Sequence, residues 1–165
     1  MDIQRKYYIS IGSNIADRLK NLQSSIDLIH SRISSLISIS SVYESESIGF
    51  EGDDFFNICA SFNSFKSPHQ IMNELLEIEK LLGRNRVKGK KYISRIIDID
   101  ILLVEDIIIN SEELTIPHVE ICNRNFFLMP LLEIEPNLIH PISKVSIKEI
   151  YSSLKLDQNI QRKDL

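Results

Sequence analysis

The chain has 165 residues, 43% apolar and 25% charged, which is the size and mixture of one soluble domain with a buried core. Five glycines and five prolines are too few for low-complexity linkers or collagen-like repeats, and a net charge of −4 excludes a generally basic nucleic-acid coat. Cys59 and Cys122 cannot build a disulfide framework, and neither sits in a CxxC pair suited to structural zinc. No apolar run reaches the ~20 residues of a membrane span, and the opening MDIQRKYYISIGSN shows no secretory signal. The expectation is a single domain over residues 1–165, cytoplasmic and with no membrane partner.

Tyr7 to Ile11 alternates, with Ile9 and Ile11 on one face and Tyr8 and Ser10 on the other, and predicts a strand ended by the turn Gly12-Ser13-Asn14. Leu19, Leu22, Ile26 and Ile29 recur at helical spacing and predict an amphipathic helix over 17–32. Residues 37–43 alternate again as one strand, 45–54 carry two glycines and read as a loop, and 55–65 form a strand with Ile58, Ala60 and Phe62 on one face. Ser67-Pro68 marks a helix start, Ile71, Leu75, Ile78 and Leu82 its buried stripe, and Gly83 its end. IIDIDILLV, 96–104, is a strand rich in β-branched residues. Segments 107–109 and 114–116 read as short paired strands, 126–134 as a helical segment around Pro130, and 147–154 as a terminal helix. The polar tail 156–165 is expected to fray. The order β-α-β-β-α-β with C-terminal additions predicts an α+β, ferredoxin-like fold, an antiparallel sheet with both main helices on one face.

The charge is uneven. Arg84, Arg86, Lys88, Lys90, Lys91 and Arg95 crowd into RNRVKGKKYISR without an acid among them, a local attractor for a phosphorylated small molecule on an otherwise acidic chain. Immediately downstream, Asp98 and Asp100 lie at i and i+2 of a strand and therefore share a face. Two such carboxylates repel unless a cation lies between them, and rigid oxygen ligands suit Mg²⁺ with substrate phosphates completing its shell. No G-x-x-x-x-G-K-[ST] or G-x-G-x-x-G loop is present, so a nucleotide would be held by side-chain cations and metal. With no arranged nucleophile, phosphoryl-type transfer remains, because it needs positioning and charge neutralisation. His118 and Arg124 are further candidate phosphate ligands. Phe55 and Phe126 could form a slot for a flat heterocycle, and Asn57, on the face of Phe55, offers both donors and acceptors to its edge.

From about Tyr7 to Pro141 these residues resemble the hydroxymethyldihydropterin pyrophosphokinase family of folate biosynthesis. The resemblance lies in Ile11-Gly12-Ser13-Asn14, Tyr43, Asp54-Phe55-Phe56-Asn57, Ile78-Glu79 and Gly83-Arg84-Asn85-Arg86. It continues through Arg95 to Leu102 with both aspartates, Thr115-Ile116-Pro117-His118, Arg124 with Phe126, and Pro130 to Ile134. It implies the ferredoxin-like fold and transfer of pyrophosphate from ATP to 6-hydroxymethyl-7,8-dihydropterin, giving the pterin diphosphate and AMP. It also implies two Mg²⁺ ions on Asp98 and Asp100, with Arg84 and Arg95 beside them as catalytic cations. Glu79, Arg86, Tyr92, Ile101, Thr115, His118 and Arg124 would serve the ATP end, and Ser45, Ile48, Phe55, Asn57 and Phe126 the pterin end. The chain is expected to act as a monomer.

The chain departs from the family pattern at Tyr92-Ile93-Ser94-Arg95, where Trp-Gly-Pro-Arg is common. It departs again at Ser45-Glu46-Ser47, in place of a more Pro-rich run, and at Glu113, where some relatives place a cation. A ferredoxin-like RNA-binding module would carry a [KR]-G-[FY]-[GA]-[FY] strand, and none is present, so no nucleic-acid partner is expected. A relative that had lost catalysis would have no use for the aspartate pair.

Overall fold

Alternation along the first strand divides the molecule into two cores, one on each face of a single antiparallel sheet. The computed structural model describes residues 3–85, 88–89, 94–154 and 158–164. In chain order the elements are β1 (Arg5–Ser13), α1 (Arg18–Arg32), β2 (Leu36–Ile39), β3 (Val42–Ser45), β4 (Phe55–Ser64) and α2 (Pro68–Leu81). They continue with β5 (Asp98–Val104), β6 (Ile109–Asn110), β7 (Thr115–Ile116), α3 (Asn125–Ile134), α4 (Ile147–Ser153) and β8 (Ile160–Lys163). The sheet runs β5-β1-β4-β3-β8 with β2 also on β4, while β6 and β7 pair separately. This is the expected ferredoxin-like arrangement. No helix among the described residues is long and apolar enough to cross a membrane.

Tyr7, Ile9 and Ile11 point into the first core with Ile58, Ala60 and Phe62 of β4 and Ile99 and Ile101 of β5, beneath Leu22 and Ile29 of α1 and Ile71, Leu75 and Ile78 of α2. Both main helices therefore cover one face. The opposite face carries Tyr8, Cys59, Leu102 and Leu103, packed against Phe127, Leu128 and Leu131 of α3 and Ile147 of α4. A bulge couples the two. Tyr8 pairs with Leu103 but Ile9 with Ile101, leaving Leu102 as the extra residue. Leu102 and Leu103 thereby both enter the second core, and Asp98 and Asp100 lie on the same face of the sheet.

Five expectations are corrected. The first strand, expected to end in a turn at Gly12-Ser13-Asn14, runs on through Gly12 and Ser13, which pair with Asn57 and Phe56 of β4. The strand expected over 37–43 is two strands broken at Ser40-Ser41. There the Ser40 hydroxyl accepts from the Cys59 amide at 2.9 Å and donates to the Ser41 carbonyl at 2.8 Å, and Ser41 donates twice to Glu133. Serine side chains here replace ladder bonds. The strand expected from 96 begins at Asp98. Leu19, expected on the buried stripe of α1, is 41% exposed. The tail expected to fray carries β8, which pairs antiparallel with the free edge of β3 from Val42↔Lys163 to Ser45↔Ile160 and is anchored by Lys163 Nζ on Glu44 at 2.7 Å. An edge strand is polar by nature, so composition alone made it read as frayed.

The start of α2 matches its sequence signals. The Ser67 side chain accepts from the Gln70 amide, the Gln70 side chain accepts from the Ser67 amide, and Pro68 opens the first turn. Gly83 at φ +92° leads the chain away in a left-handed conformation that glycine adopts without strain. Ser67→Ala should lower stability by about 1 kcal/mol, a Tm drop of roughly 2–4 °C for a domain this size, measured by thermal denaturation.

Candidate active site

α3 covers only part of the second face, and beside it the sheet opens into a cavity of about 510 Å³, within the usual range for small-molecule sites. Its floor is a patch of paired strands: Ser10 opposite Asp100, and Gly12 opposite both Asp98 and Asn57. Gly12 is small for a reason. A Cβ there would lie 2.8 Å from Asn57 Oδ1, so a side chain would displace the amide from the floor. Asn57 is held on its other side by donating from Nδ2 to Ser45 Oγ at 2.8 Å.

The polar end is built on Asp98 and Asp100. Arg84 donates to Asp98 Oδ1 at 2.5 Å and Arg95 to Oδ2 at 2.6 Å, so one carboxylate holds two guanidiniums. His118 turns Nε2 toward Asp100 Oδ1 at 3.7 Å, while its Nδ1 accepts from the Glu120 amide at 3.1 Å. Burial and the neighbouring Asp100 charge push the Asp98 carboxyl up from its ordinary range, against the pull of Arg84 and Arg95. Burial pushes Asp100 the same way, but His118, Arg124 and Arg84 outweigh it and hold that carboxyl below its ordinary range. Arg124 and Lys88 also line the cavity. The two carboxylates are hard donors on a rigid strand, still 22% and 31% exposed, and their chemistry fits Mg²⁺. Among the described residues no group of three or more His, Cys, Asp or Glu could hold a metal. A cation here would therefore depend on water or ligand oxygens for the rest of its shell.

The cations are aimed from behind. Glu79, buried at the end of α2, accepts from Arg84 at 2.6 Å and from the Ile99 amide at 2.8 Å, tying the arginine to the strand that carries the aspartates. Asn14, also buried, accepts from the Arg95 amide at 2.7 Å and donates to the Asp53 carbonyl and Ser94 Oγ at 3.1 Å each. The turn after β1 thus clamps the loop before β4 and the approach to β5 together.

The other end is aromatic. Phe55 packs edge-on to Phe50 with ring centroids 6.3 Å apart, and Phe126 packs against Phe127 at 4.7 Å. Phe127 in turn meets the His118 ring at 5.0 Å, joining the aromatic and polar ends. Ser45 and Ile48 complete the wall with Asn57.

Among the expected site residues, the cavity brings together Arg84, Arg95, Asp98, Asp100, His118, Arg124, Ser45, Ile48, Phe55, Asn57 and Phe126. Glu79 lies beneath it, touching Arg84. Ile101 instead faces the first core, and Thr115 lies on β7, which packs against β5. Strand alternation dictates the placement of Ile101, since its neighbours Asp98 and Asp100 occupy the other parity. Arg86 and Tyr92 lie outside the described residues. Phe50 and Phe127 also line the cavity: nothing periodic marks Phe50 in its loop, and Phe127 reads as one apolar residue among many in the segment 126–134. The clamp made by Asn14, which directly follows β1, has no local signal in the sequence, because its partners lie about 40 and 80 residues away.

A family model described as 7,8-dihydro-6-hydroxymethylpterin-pyrophosphokinase (HPPK) matches residues 8–136. A 2-amino-4-hydroxy-6-hydroxymethyldihydropteridine pyrophosphokinase of Aquifex aeolicus is 38% identical over 143 residues, covering 86% of this chain and 88% of that protein. The folic acid synthesis protein fol1 of Pneumocystis carinii is 36% identical over 155 residues, covering 93% of this chain. A solved structure of Plasmodium falciparum HPPK-DHPS, wild type with STZ-DHP, superposes with a TM-score of 0.71 over 92% of this chain at 16% identity, a likeness of fold. The chain spans most of the bacterial relative but 20% of the Pneumocystis protein and 42% of the Plasmodium chain.

Glu79→Ala leaves the Ile99 amide and one side of Arg84 without their buried acceptor, and should cost about 3–5 kcal/mol, the scale of a buried pair broken on one side. Glu79→Gln keeps an acceptor for Ile99 and should lose clearly less. Urea denaturation of both variants checks this, and equal losses would show that the acceptor geometry is immaterial.

Proposed function

Because the chain belongs to the 7,8-dihydro-6-hydroxymethylpterin-pyrophosphokinase family, we propose that it transfers the β,γ-pyrophosphoryl group of ATP to the hydroxymethyl group of 6-hydroxymethyl-7,8-dihydropterin and releases AMP, a step of folate synthesis. The observation that carries this reading is the two-ended cavity: a carboxylate pair ringed by Arg84, Arg95, His118 and Arg124 at one end, a phenylalanine slot with Asn57 at the other.

The pterin ring stacks between Phe55 and Phe126, with its edge against Asn57 and its wall at Ser45 and Ile48. That pose directs the hydroxymethyl group toward the aspartates. Its oxygen bonds to the β-phosphorus as the bond from that phosphorus to the α,β-bridging oxygen breaks. AMP leaves with the bridging oxygen, and the hydroxyl proton is released. Asp98 and Asp100 are the residues that would hold two Mg²⁺ ions, which neutralise phosphate charge during such transfers. Arg84 and Arg95 move from Asp98 onto phosphate oxygens, where charge-assisted hydrogen bonds act on the transferred group. His118 and Arg124 hold the remaining phosphates, Arg86 and Tyr92 assist from the cationic segment, and the nucleotide is served by the backbone of Ile101, whose side chain is in the first core, at the outer edge of β5, and by Thr115 on β7. Glu79 keeps Arg84 aimed. One chain supplies both ends of the cavity, which supports action as a monomer, and the co-substrate ATP favours the cytoplasm. Neither nucleic acid nor membrane is required.

Incubation with Mg-ATP and 6-hydroxymethyl-7,8-dihydropterin should yield AMP and the pterin diphosphate, and chelation of Mg²⁺ should stop it. Release of ADP, or of no nucleotide product, would overturn the reading. Arg84→Ala and Arg95→Ala should each slow the chemical step by roughly 10²-fold, the scale of losing one electrostatic stabiliser. Lys88→Ala should mainly slow ATP association, an effect that salt removes over a Debye length of about 8–10 Å. Single-turnover kinetics at two salt concentrations separates these roles.

A further inference from the structure

The first turn of α3 carries both Phe126 and, at its N-cap, Arg124, yet it cannot secure itself. Arg124 makes no side-chain capping bond. Its guanidinium lies 5.4 Å from the Phe126 ring and 5.6 Å from the Phe127 ring, facing the cavity. Pro130, inside the helix, has no N–H with which to bond the Phe126 carbonyl. The cap comes from far along the chain. Gln158 Oε1 accepts from the Asn125 amide at 2.8 Å, and Gln158 Nε2 donates to the Asn123 carbonyl at 2.8 Å. Gln158 leads directly into β8, whose pairing with β3 fixes it in space, and Asn159 next to it donates to Glu46 Oε1 at 3.4 Å. A small hollow of about 70 Å³ is lined by Phe126 together with Gln158, Asn159 and Ile160 of this tail.

We propose that Gln158 is a positioning residue for the pterin end of the cavity, supplying from the tail of the same chain the helix cap that fixes Phe126. This rests on the assignment of Phe126 to the pterin under the proposed function. It extends the site to a tail that lies beyond the family-matched residues 8–136. A small tilt of the first turn displaces the short, stiff Phe126 ring, whereas the long Arg124 side chain absorbs it. The effect is therefore selective for the pterin.

The test uses the full chain with Gln158→Ala and Gln158→Glu. It measures pterin binding by calorimetry, KM for each substrate, kcat and Tm. Gln158→Ala should raise the pterin Kd and KM about fivefold, the affinity equivalent of one lost cap, while ATP KM and kcat stay near wild type. Gln158→Glu keeps an acceptor for Asn125 at a helix N-terminus, where negative charge is favoured, but gives up the donor to the Asn123 carbonyl, and should recover part of the pterin affinity lost in Gln158→Ala. An unchanged pterin Kd in Gln158→Ala, equal weakening of both substrates, or no recovery in Gln158→Glu would overturn the proposal. If wild type bound pterin but released no AMP, the activity would fall and the binding comparison would still judge Gln158. If wild type bound no pterin, both readings would fall.

Discussion

Asp98 and Asp100 place two carboxylates on one face of one strand, and that unfavourable arrangement organises the cavity. Two negative charges this close, partly withdrawn from water, require cations. The protein supplies them from both ends of its cationic segment, with Arg84 and Arg95 on Asp98, and His118 facing Asp100. These contacts are exchangeable by their chemistry: metal ions satisfy the carboxylates, and phosphate oxygens satisfy the guanidiniums. Under the proposed function, the groups that a metal–nucleotide complex would need are therefore already gathered here, each beside a partner of the opposite sign. Glu79, which is buried and bonded to the Ile99 amide, would keep Arg84 in place if Asp98 changed partner.

The sheet makes this geometry rigid. β1 lies between β4 and β5, so the floor positions Ser10 and Gly12 touch the strands that carry Asn57 on one side and the aspartates on the other. The Leu102 bulge lets the same strand give both Leu102 and Leu103 to the second core after presenting Asp98 and Asp100 to the cavity. α3 packs on that core, and its first turn is the border between aromatic and polar ends, with Phe127 touching both Phe126 and His118. The shape of the cavity thus depends on sheet register at the floor and on a helix terminus at the wall.

Much of this was legible in the sequence, and what was not has a common cause. Strand and helix periodicities were readable because each element buries one face. Asp98 and Asp100 stood out because carboxylates interrupt an otherwise apolar strand. The break at Ser40-Ser41 depends on Glu133, some ninety residues away, and the ordering of the tail depends on the open edge of β3. Glu79 read only as an acidic position, since the arginine and amide that it bridges come from beyond its own helix. Asn14 read only as a turn residue, although its side chain joins three segments. Local pattern reveals a residue's face, and tertiary packing decides its partner.

The exchange of partners at Asp98 is tested most directly by ATP binding to wild type and Asp98→Asn, measured by calorimetry with excess Mg²⁺ and with excess chelator. Asparagine removes a negative charge from the phosphate end and releases Arg84 and Arg95 from their ion pairs. The account predicts that Asp98→Asn binds metal-free ATP more tightly than wild type does, while Mg²⁺ no longer strengthens binding. Metal-free affinity that falls in Asp98→Asn, or an undiminished Mg²⁺ effect, would contradict it.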